Sequence, residues 1–385
     1  MRPAEVSIVR CDGYENEIVY GRVKQAVDLV GGIGAFVSRN DRVLIKPNLL
    51  VAKTPDRAAL THPAVLEAAI RLVLEAGAKP LVGDSPALGS ARACAEKGGL
   101  TPVLKKYGVP LLACEKPATI KNPDGAFKTF EVAKDALDID KIINLPKLKT
   151  HGQMVMTMAV KNTFGLVPGV RKTQWHFRVG NNPAHFARML VDLHYRVAPV
   201  LSIMDAVTAM EGNGPGSGDP VDLGLIVAGA DASAIDAVSC GIVGLDPSLL
   251  YTLVEAKKAG LGTADLSHIT VRGEKLEDVS VTGFRFPPTG PVITAMPAAL
   301  SRIARRILTP RPVIIPETCT RCGRCEKICP ARAITGPPPS RRRAAMPPGR
   351  MAIDYSACIR CFCCQEICPE GAVTIRTGWF IRNKI

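Results

Sequence analysis

Nine of the chain's thirteen cysteines lie between Cys319 and Cys368, and eight of them form two copies of one pattern. Cys319, Cys322, Cys325 and Cys329 precede Pro330, while Cys358, Cys361, Cys364 and Cys368 precede Pro369. Each copy reads C-x2-C-x2-C-x3-C-P. Three thiols at intervals of three along a tight loop can turn inward onto three corners of an iron-sulfur cubane, and the fourth thiol of each run then serves the sister cluster. The spacing predicts two [4Fe-4S] clusters: Cys319, Cys322, Cys325 and Cys368 hold cluster 1, and Cys358, Cys361, Cys364 and Cys329 hold cluster 2. Zinc is the alternative, but zinc ribbons pair two C-x2-C knuckles about 12 to 20 residues apart and have no use for a third evenly spaced cysteine before C-P. The chemistry of such centres is one-electron transfer, at a potential set by exposure, hydrogen bonds to sulfur and nearby charge. Arg321, Arg324, Lys327 and Arg360 flank the thiols. Positive charge there favours the reduced state and suits an acidic redox partner protein.

A second set of residues has no such spacing and is found through the elements that must position it. Over residues 1–283 short β-branched runs alternate with helical patterns. Strands are expected near 42–46, 80–83, 141–145, 200–204, 223–228 and 268–272, and the chain's start also reads as a strand. The clearest helix, Pro63 to Ala76, has proline at its first position and Gly77 just after its end. The alternation predicts an α/β fold, a mostly parallel sheet covered by helices. Ligands of such sheets sit beyond the carboxyl ends of the strands. At those ends stand Lys46 and Asn48; Asp84; Lys147, Lys149 and His151; and Asp205, with Glu211 on its loop. Lys161 and Asn162 follow His151. Any one of them alone reads as a solvated strand end. Together they predict a site for a small anionic or carbonyl-bearing substrate, with lysines stabilising negative charge and His151 or a carboxylate moving a proton. The lysines also admit Schiff-base chemistry, though nothing selects one of them.

Between the two regions, residues 284–312 form a Pro-rich linker. Within it AALSRIARRIL sets Leu300, Ile303, Ile307 and Leu308 on one helical face and Arg302 and Arg306 on another, a strut or a short basic amphipathic helix for an anionic membrane surface. Residues 313–385 are expected to form a small ferredoxin-like α+β unit, because RCGRCEKICPARAIT at 321 recurs as RCFCCQEICPEGAVT at 360. GPPPSRRRAAMPPGR between the copies reads as an exposed loop. Cys363, a ninth thiol, reads as a packed bystander, with an alternative ligand or a redox thiol as the other readings. The loop GNGPGSG at 212–218 lacks the G-K-[ST] ending of a nucleotide loop and reads as a turn or a mobile lid. MVMTMAV at 154–160 reads as core.

Composition bounds the rest. With 385 residues, 47% of them apolar, the chain is globular rather than disordered. The formal charge of +14 is concentrated toward the end: residues 311–385 carry 13 Lys and Arg against 5 Asp and Glu. Nucleic acid is not the expected partner, because thiolate-ligated clusters bring negative charge that nearby arginines offset. The start lacks the apolar core of a secretory signal, and no run of about 18 uncharged apolar residues predicts a transmembrane segment. A reducing cytoplasm is the expected setting.

The cysteine-rich end, about residues 313–380, closely resembles bacterial-type two-cluster ferredoxins. Its second motif, C-I-R-C-F-C-C-Q-E-I-C-P, departs from the plain pattern, with Phe362 where the first copy has Gly323, and resembles the tail of proteins carrying the domain of unknown function numbered 362. VLIKPN at 43–48, HPAVLEAAI at 62–70, LPKLKTH at 145–151, VKNTFG at 160–165 and MEGNGPGSG at 210–218 extend that resemblance over nearly the whole chain. It implies cluster binding and names no substrate. The expected function is electron transfer to or from a redox site in the α/β domain, and the alternatives are a non-catalytic electron-transfer adaptor and a cluster-based sensor.

Overall fold

The computed structural model describes residues 3–169, 171–180, 182–288, 309–336 and 351–376. Its main sheet contains β1 (Ala4–Arg10), β2 (Arg42–Pro47), β3 (Lys79–Gly83), β4 (Leu111–Leu112), β7 (Lys141–Leu145), β8 (Lys147–His151), β9 (Val155–Thr157), β10 (Leu201–Glu211), β11 (Asp219–Gly229) and β12 (Ile269–Gly273). A separate hairpin pairs β5 (Pro117–Lys121) with β6 (Thr129–Ala133). The order along the sheet is β12-β1-β11-β10-β7-β2-β3-β4, with β8 beside β10 and β9 beside β8. The β10-β7-β2-β3-β4 run is parallel throughout, whereas β11 lies antiparallel to both β1 and β10.

The strand faces follow the two-residue period. In β2, Val43 and Ile45 enter one apolar core while Leu44 enters another on the opposite face. The first core is closed by α1 (Asn16–Asp28), α2 (Pro63–Glu75), α3 (Ala91–Lys97) and α4 (Leu100–Tyr107). The other face is covered by α5 (Ala159–Asn162), α6 (Arg171–Val179), α7 (Pro183–Val197), α8 (Ala232–Val243), α9 (Tyr251–Ala259) and α10 (Leu276–Val279). Met154, Met156 and Met158 are all buried.

The six expected strands all form, but β10 and β11 are nearly twice as long as their apolar stretches. Their far halves carry Thr208, Glu211, Asp219 and Asp222, polar residues that hydrophobic periodicity passes over, and Thr208 hydrogen-bonds Asp222 across the hairpin. Pro146 separates β7 from β8, so LPKLKTH is a second strand rather than a loop. The expected helix over 298–308 and the Pro- and Arg-rich loop over 337–350 lie outside the described residues. Phe284 and Phe286, assigned above to the linker, still pack on the second core. Among the described residues no helix is long and apolar enough to cross a membrane.

The cysteine-rich unit contains β13 (Arg311–Ile314), α11 (Arg324–Ile328), β14 (Ile334–Thr335), β15 (Ala352–Ile353), α12 (Cys363–Glu366) and β16 (Val373–Arg376), with β13 pairing β16 and β14 pairing β15. Its two halves repeat in backbone as well as in sequence. Left-handed residues occur at Arg321, Gly323 and Arg332 and again, 39 residues on, at Arg360, Phe362 and Gly371.

Candidate functional site

Each short helix of the cysteine-rich unit starts after a left-handed residue, Gly323 or Phe362, which turns the preceding loop back on itself. That turn groups thiols from both copies. The Cys325 thiol is pushed up to about 11 by burial and by the Cys319, Cys322 and Cys368 thiols beside it. Burial also raises Cys358, whose neighbours include Cys361 and Cys329. Cys368 thus lies near Cys325, and Cys329 near Cys358 and Cys364. Backbone N–H groups already point at these sulfurs: Ala333 donates to Cys329 Sγ at 3.2 Å, Ala372 to Cys368 Sγ at 3.2 Å, and Arg360 to Cys358 Sγ at 3.4 Å. Among the described residues no three thiol, imidazole or carboxylate groups gather closely enough to hold a single metal ion.

The second copy is seated on the sheet. Gln365, fully buried, donates through Nε2 to Asn213 O at 2.9 Å, Asn213 Oδ1 at 2.9 Å and Gly214 O at 2.8 Å. Ser217 Oγ donates to Cys368 O at 3.2 Å, and Lys53 Nζ to Pro369 O at 2.6 Å. GNGPGSG is therefore the joint between the two regions rather than a lid. A Cβ on Gly216 would stand 2.8 Å from the Glu366 carbonyl, so the approach of the two backbones requires glycine. Beside the joint, His151 Nε2 lies 3.0 Å from Glu366 Oε1. His151 Nδ1 accepts from the Gln153 and Met154 N–H groups, which puts the proton of the neutral ring on Nε2, facing the carboxylate. Burial lowers His151 to about 4, while His151 and Lys161 hold Glu366 down at about 2 against its own burial.

Between the sheet and α12 lies a cavity of about 70 Å³. Asn48, Asp84, Lys149, Lys161 and Asn162 border it from the α/β region, and Cys363 and Glu366 from the cysteine-rich unit. It opens beyond the carboxyl end of β2, the strand from which the chain order runs outward in both directions, where an α/β sheet places its ligands. Lys46, fully buried, pairs with Asp84 at 2.9 Å, and Asp84 Oδ2 also accepts from Leu49 N–H at 2.7 Å. A Cβ on Gly165 would stand 1.9 Å from Asp84 Oδ1, which explains the glycine of VKNTFG. Lys149 Nζ donates to Asn48 Oδ1 at 2.7 Å and Ala59 O at 2.6 Å. A chain of amides follows: Asn48 Nδ2 to Asn162 Oδ1, Asn162 Nδ2 to Asn144 Oδ1, both at 2.8 Å, and Asn144 Nδ2 to Ser202 Oγ at 3.1 Å. Such a network fixes the lysine's aim. Burial holds Lys149 well below the ordinary lysine range.

The structure divides the ten α/β candidates. Asn48, Asp84, Lys149, Lys161 and Asn162 line the cavity, Lys46 stands behind Asp84, and His151 joins them through Glu366. Lys147, Asp205 and Glu211 stand elsewhere. On β8 the two-residue period sets Lys147 about 6.6 Å before Lys149, and Lys147 pairs with Asp205 at 2.8 Å while donating to Tyr14 Oη at 2.8 Å. Tyr14 donates to Asp205 Oδ1 at 2.8 Å and stacks on His62 at 3.5 Å, a closed network. Glu211 accepts from Arg285 Nε at 2.6 Å and from its backbone N–H at 2.8 Å, tying the far end of the β10–β11 hairpin.

Sequence reasoning missed Thr157, Lys172 and His176, all on the cavity wall. Lys172 donates to the carbonyls of Ser85 and Val167, and burial lowers it to about 7. Lys172 and His176 are buried four apart on α6, a spacing that sets two polar groups on one helical face and could have flagged them. Cys363 and Glu366 were masked by the motif around them.

Residues 43–241 match the family described as a domain of unknown function (DUF362), and residues 318–372 match a 4Fe-4S dicluster domain. A thylakoid-associated protein of Synechocystis sp. is 42% identical over 283 residues, 71% of this chain and 88% of that protein. Among solved structures, the lactate racemase apoprotein of Thermoanaerobacterium thermosaccharolyticum aligns with a TM-score of 0.41 at 12% identity, over 62% of this chain and 57% of that one. A Thermotoga maritima structural-genomics protein aligns with a TM-score of 0.35 at 12% identity, over 56% of this chain and 55% of that one. With more than half its length matched by that profile and 71% of it aligned to the cyanobacterial protein at 42% identity, the chain belongs to the DUF362 family and ends in a 4Fe-4S iron-sulfur domain of the electron-transfer type.

Proposed function

We propose that this protein transfers electrons between a docked redox partner and a small molecule held in the cavity beneath its second cysteine motif. In this reading Cys319, Cys322, Cys325 and Cys368 hold one [4Fe-4S] cluster, and Cys358, Cys361, Cys364 and Cys329 hold a second. The clusters supply one-electron transfer when bound. The observation that carries the reading is the position of Cys363. It is in hydrogen-bond contact with Cys361, it precedes Cys364 in sequence, and it also borders the cavity. One wall therefore separates the second group of thiols from the buried lysines.

The chain's own residues have distinct tasks. Gln365 and the Gly-rich joint hold that wall in register. The Lys46–Asp84 pair and the amide chain aim Lys149 at the cavity, and His151 presents its Nε2 proton to Glu366. On the outer side Cys322, Arg324 and Lys327 are exposed, which suits an acidic electron carrier docking near the first cluster. A reducing cytoplasm and the relative's thylakoid association are compatible with attachment to a membrane surface. Anaerobic reconstitution should give about eight irons and eight sulfides per chain, with EPR signals of two interacting centres on reduction. Four irons or fewer would overturn the paired assignment. Failure of any cavity-bound molecule to change its redox state with the reduced protein would overturn the electron route.

A further inference from the structure

Three lysine amines, those of Lys149, Lys161 and Lys172, border the cavity without an ion-pair partner among the described residues. Asp84 is matched by Lys46, and Glu366 faces His151 Nε2 at 3.0 Å. An amine that is charged here bears a desolvation cost unless an oxygen faces it. Lys149 and Lys172 reduce that cost with hydrogen bonds to an amide oxygen and to backbone carbonyls. Lys161 does not. Among the described residues its ammonium makes no hydrogen bond or ion pair, and its nearest ring contact, with Phe164, is at 5.9 Å. Lys161 is half-buried, whereas two neighbouring lining groups, Thr157 Oγ1 and His176 Nδ1, are buried without a hydrogen-bond partner among the described residues. Buried polar groups left open in this way call for a partner, whether a bound water or a ligand.

We infer that the cavity binds a small carboxylate anion, with Lys161 as its charge partner and the Thr157 hydroxyl as a hydrogen-bond donor. The volume holds about five water-sized positions, room for a carboxylate with a short carbon chain. Leu49, Phe164, Ile328 and Ile367 supply an apolar wall for that chain. Phosphate fits less well. It needs many donors and is commonly taken by arginine forks or the amides at a helix start, and no arginine lines this cavity. The inference deepens the electron-transfer reading by naming the class of molecule served, and it rests on that reading only for the claim that the bound molecule is a redox substrate.

An anionic cluster could itself balance Lys161, so the test uses the full chain with its clusters in place, oxidised and anaerobic. Acetate, pyruvate, malonate and inorganic phosphate are titrated separately by calorimetry. At least one carboxylate should bind, more tightly than phosphate. Lys161→Met should weaken it by about tenfold or more, and Thr157→Val by a smaller factor, with cluster absorption unchanged in both. Binding should also shift the EPR spectrum of the reduced protein. Silence of all three carboxylates, tighter phosphate binding, or wild-type affinity in Lys161→Met would overturn the inference. Carboxylate binding without electron exchange would overturn the electron route and leave this site standing. Electron delivery to some other cavity molecule, with no carboxylate bound, would do the reverse.

Discussion

The two regions that meet at the cavity carry their strain in different forms. In the sheet it is electrostatic: Lys46, Lys147 and Lys149 are each at most 1% exposed, and each is held by a carboxylate or by amide and carbonyl oxygens drawn from elements far apart in sequence. In the cysteine-rich unit it is conformational: Arg321, Arg332, Arg360 and Phe362 hold left-handed backbone so that eight thiols converge within two short segments. The sheet positions chemistry through tertiary contacts, the cysteine unit through local turns. Removing a piece of either should therefore fail in a different way.

The largest effect is expected from Cys329→Ser. Although Cys329 belongs to the first copy, its neighbours are thiols of the second, so the variant should lose the second cluster and about half the iron while the first remains visible by EPR. Loss of the first centre instead would break the crosswise pairing. In the sheet, Lys46→Met leaves Asp84 buried without its cation and should cost about 3–5 kcal/mol in denaturant unfolding. Replacing both residues, Lys46→Met with Asp84→Leu, should recover much of that loss. A single variant as stable as wild type would show that the pair is not what holds this end of β2.

A pH experiment probes another buried charge. Asp236 accepts the Ala159 and Val160 N–H groups at 2.7 and 3.2 Å and so fixes the start of α5, the turn that carries Lys161 and Asn162. Burial raises its carboxyl from about 3.8 to about 7 in spite of those two bonds. The folded protein thus holds a proton here that the unfolded chain has released. Stability from this group is complete below about pH 4 and is lost as the pH rises through 7. Between pH 5.5 and 8 the wild type should lose stability relative to Asp236→Asn, whose side chain cannot ionise. Parallel stability curves would show that Asp236 ionises as it does in water. The joint is expected to be weaker. Gln365→Ala strips one donor from three acceptors and should cost about 2 kcal/mol, read as earlier proteolysis at the seam with the clusters initially retained.

Legibility from sequence follows the same division. The thiol groups could be read because their spacing is the local geometry, and most of the sheet could be read because its longer strands carry an apolar run of their own, which β8, with Lys147, Lys149 and His151, does not. The cavity was only half legible. Strand ends gave Lys46, Asn48 and Asp84, yet Lys147 and Lys149 look alike in LPKLKTH, and only the position of Asp205 across the strand pair and of Asn48 beyond β2 tells them apart. Lys172 lies on a helix with no strand end to flag it. Glu366 was hidden because nothing in a cysteine motif says that its neighbouring carboxylate will face a histidine 215 residues earlier.

The smallest effect tests the conformational half of the contrast. Gly323 has φ near 72°, and a Cβ built there meets nothing within 4 Å, so Gly323→Ala changes backbone preference and little else. Its cost should be that of placing an L-residue in the left-handed region, about 1 kcal/mol, measured as a lower midpoint in denaturant with both clusters intact. Phe362 occupies the equivalent position at φ near 59° and bears the same cost, but its ring is 6% exposed and recovers it through burial. Phe362→Gly should therefore be no more stable than wild type despite the freer backbone. If Gly323→Ala is silent, the left-handed turns are not where this unit carries its strain. If Phe362→Gly is more stable, the phenylalanine is kept for something other than packing, and its place between Cys361 and the cavity-lining Cys363 makes the electron path the first thing to measure.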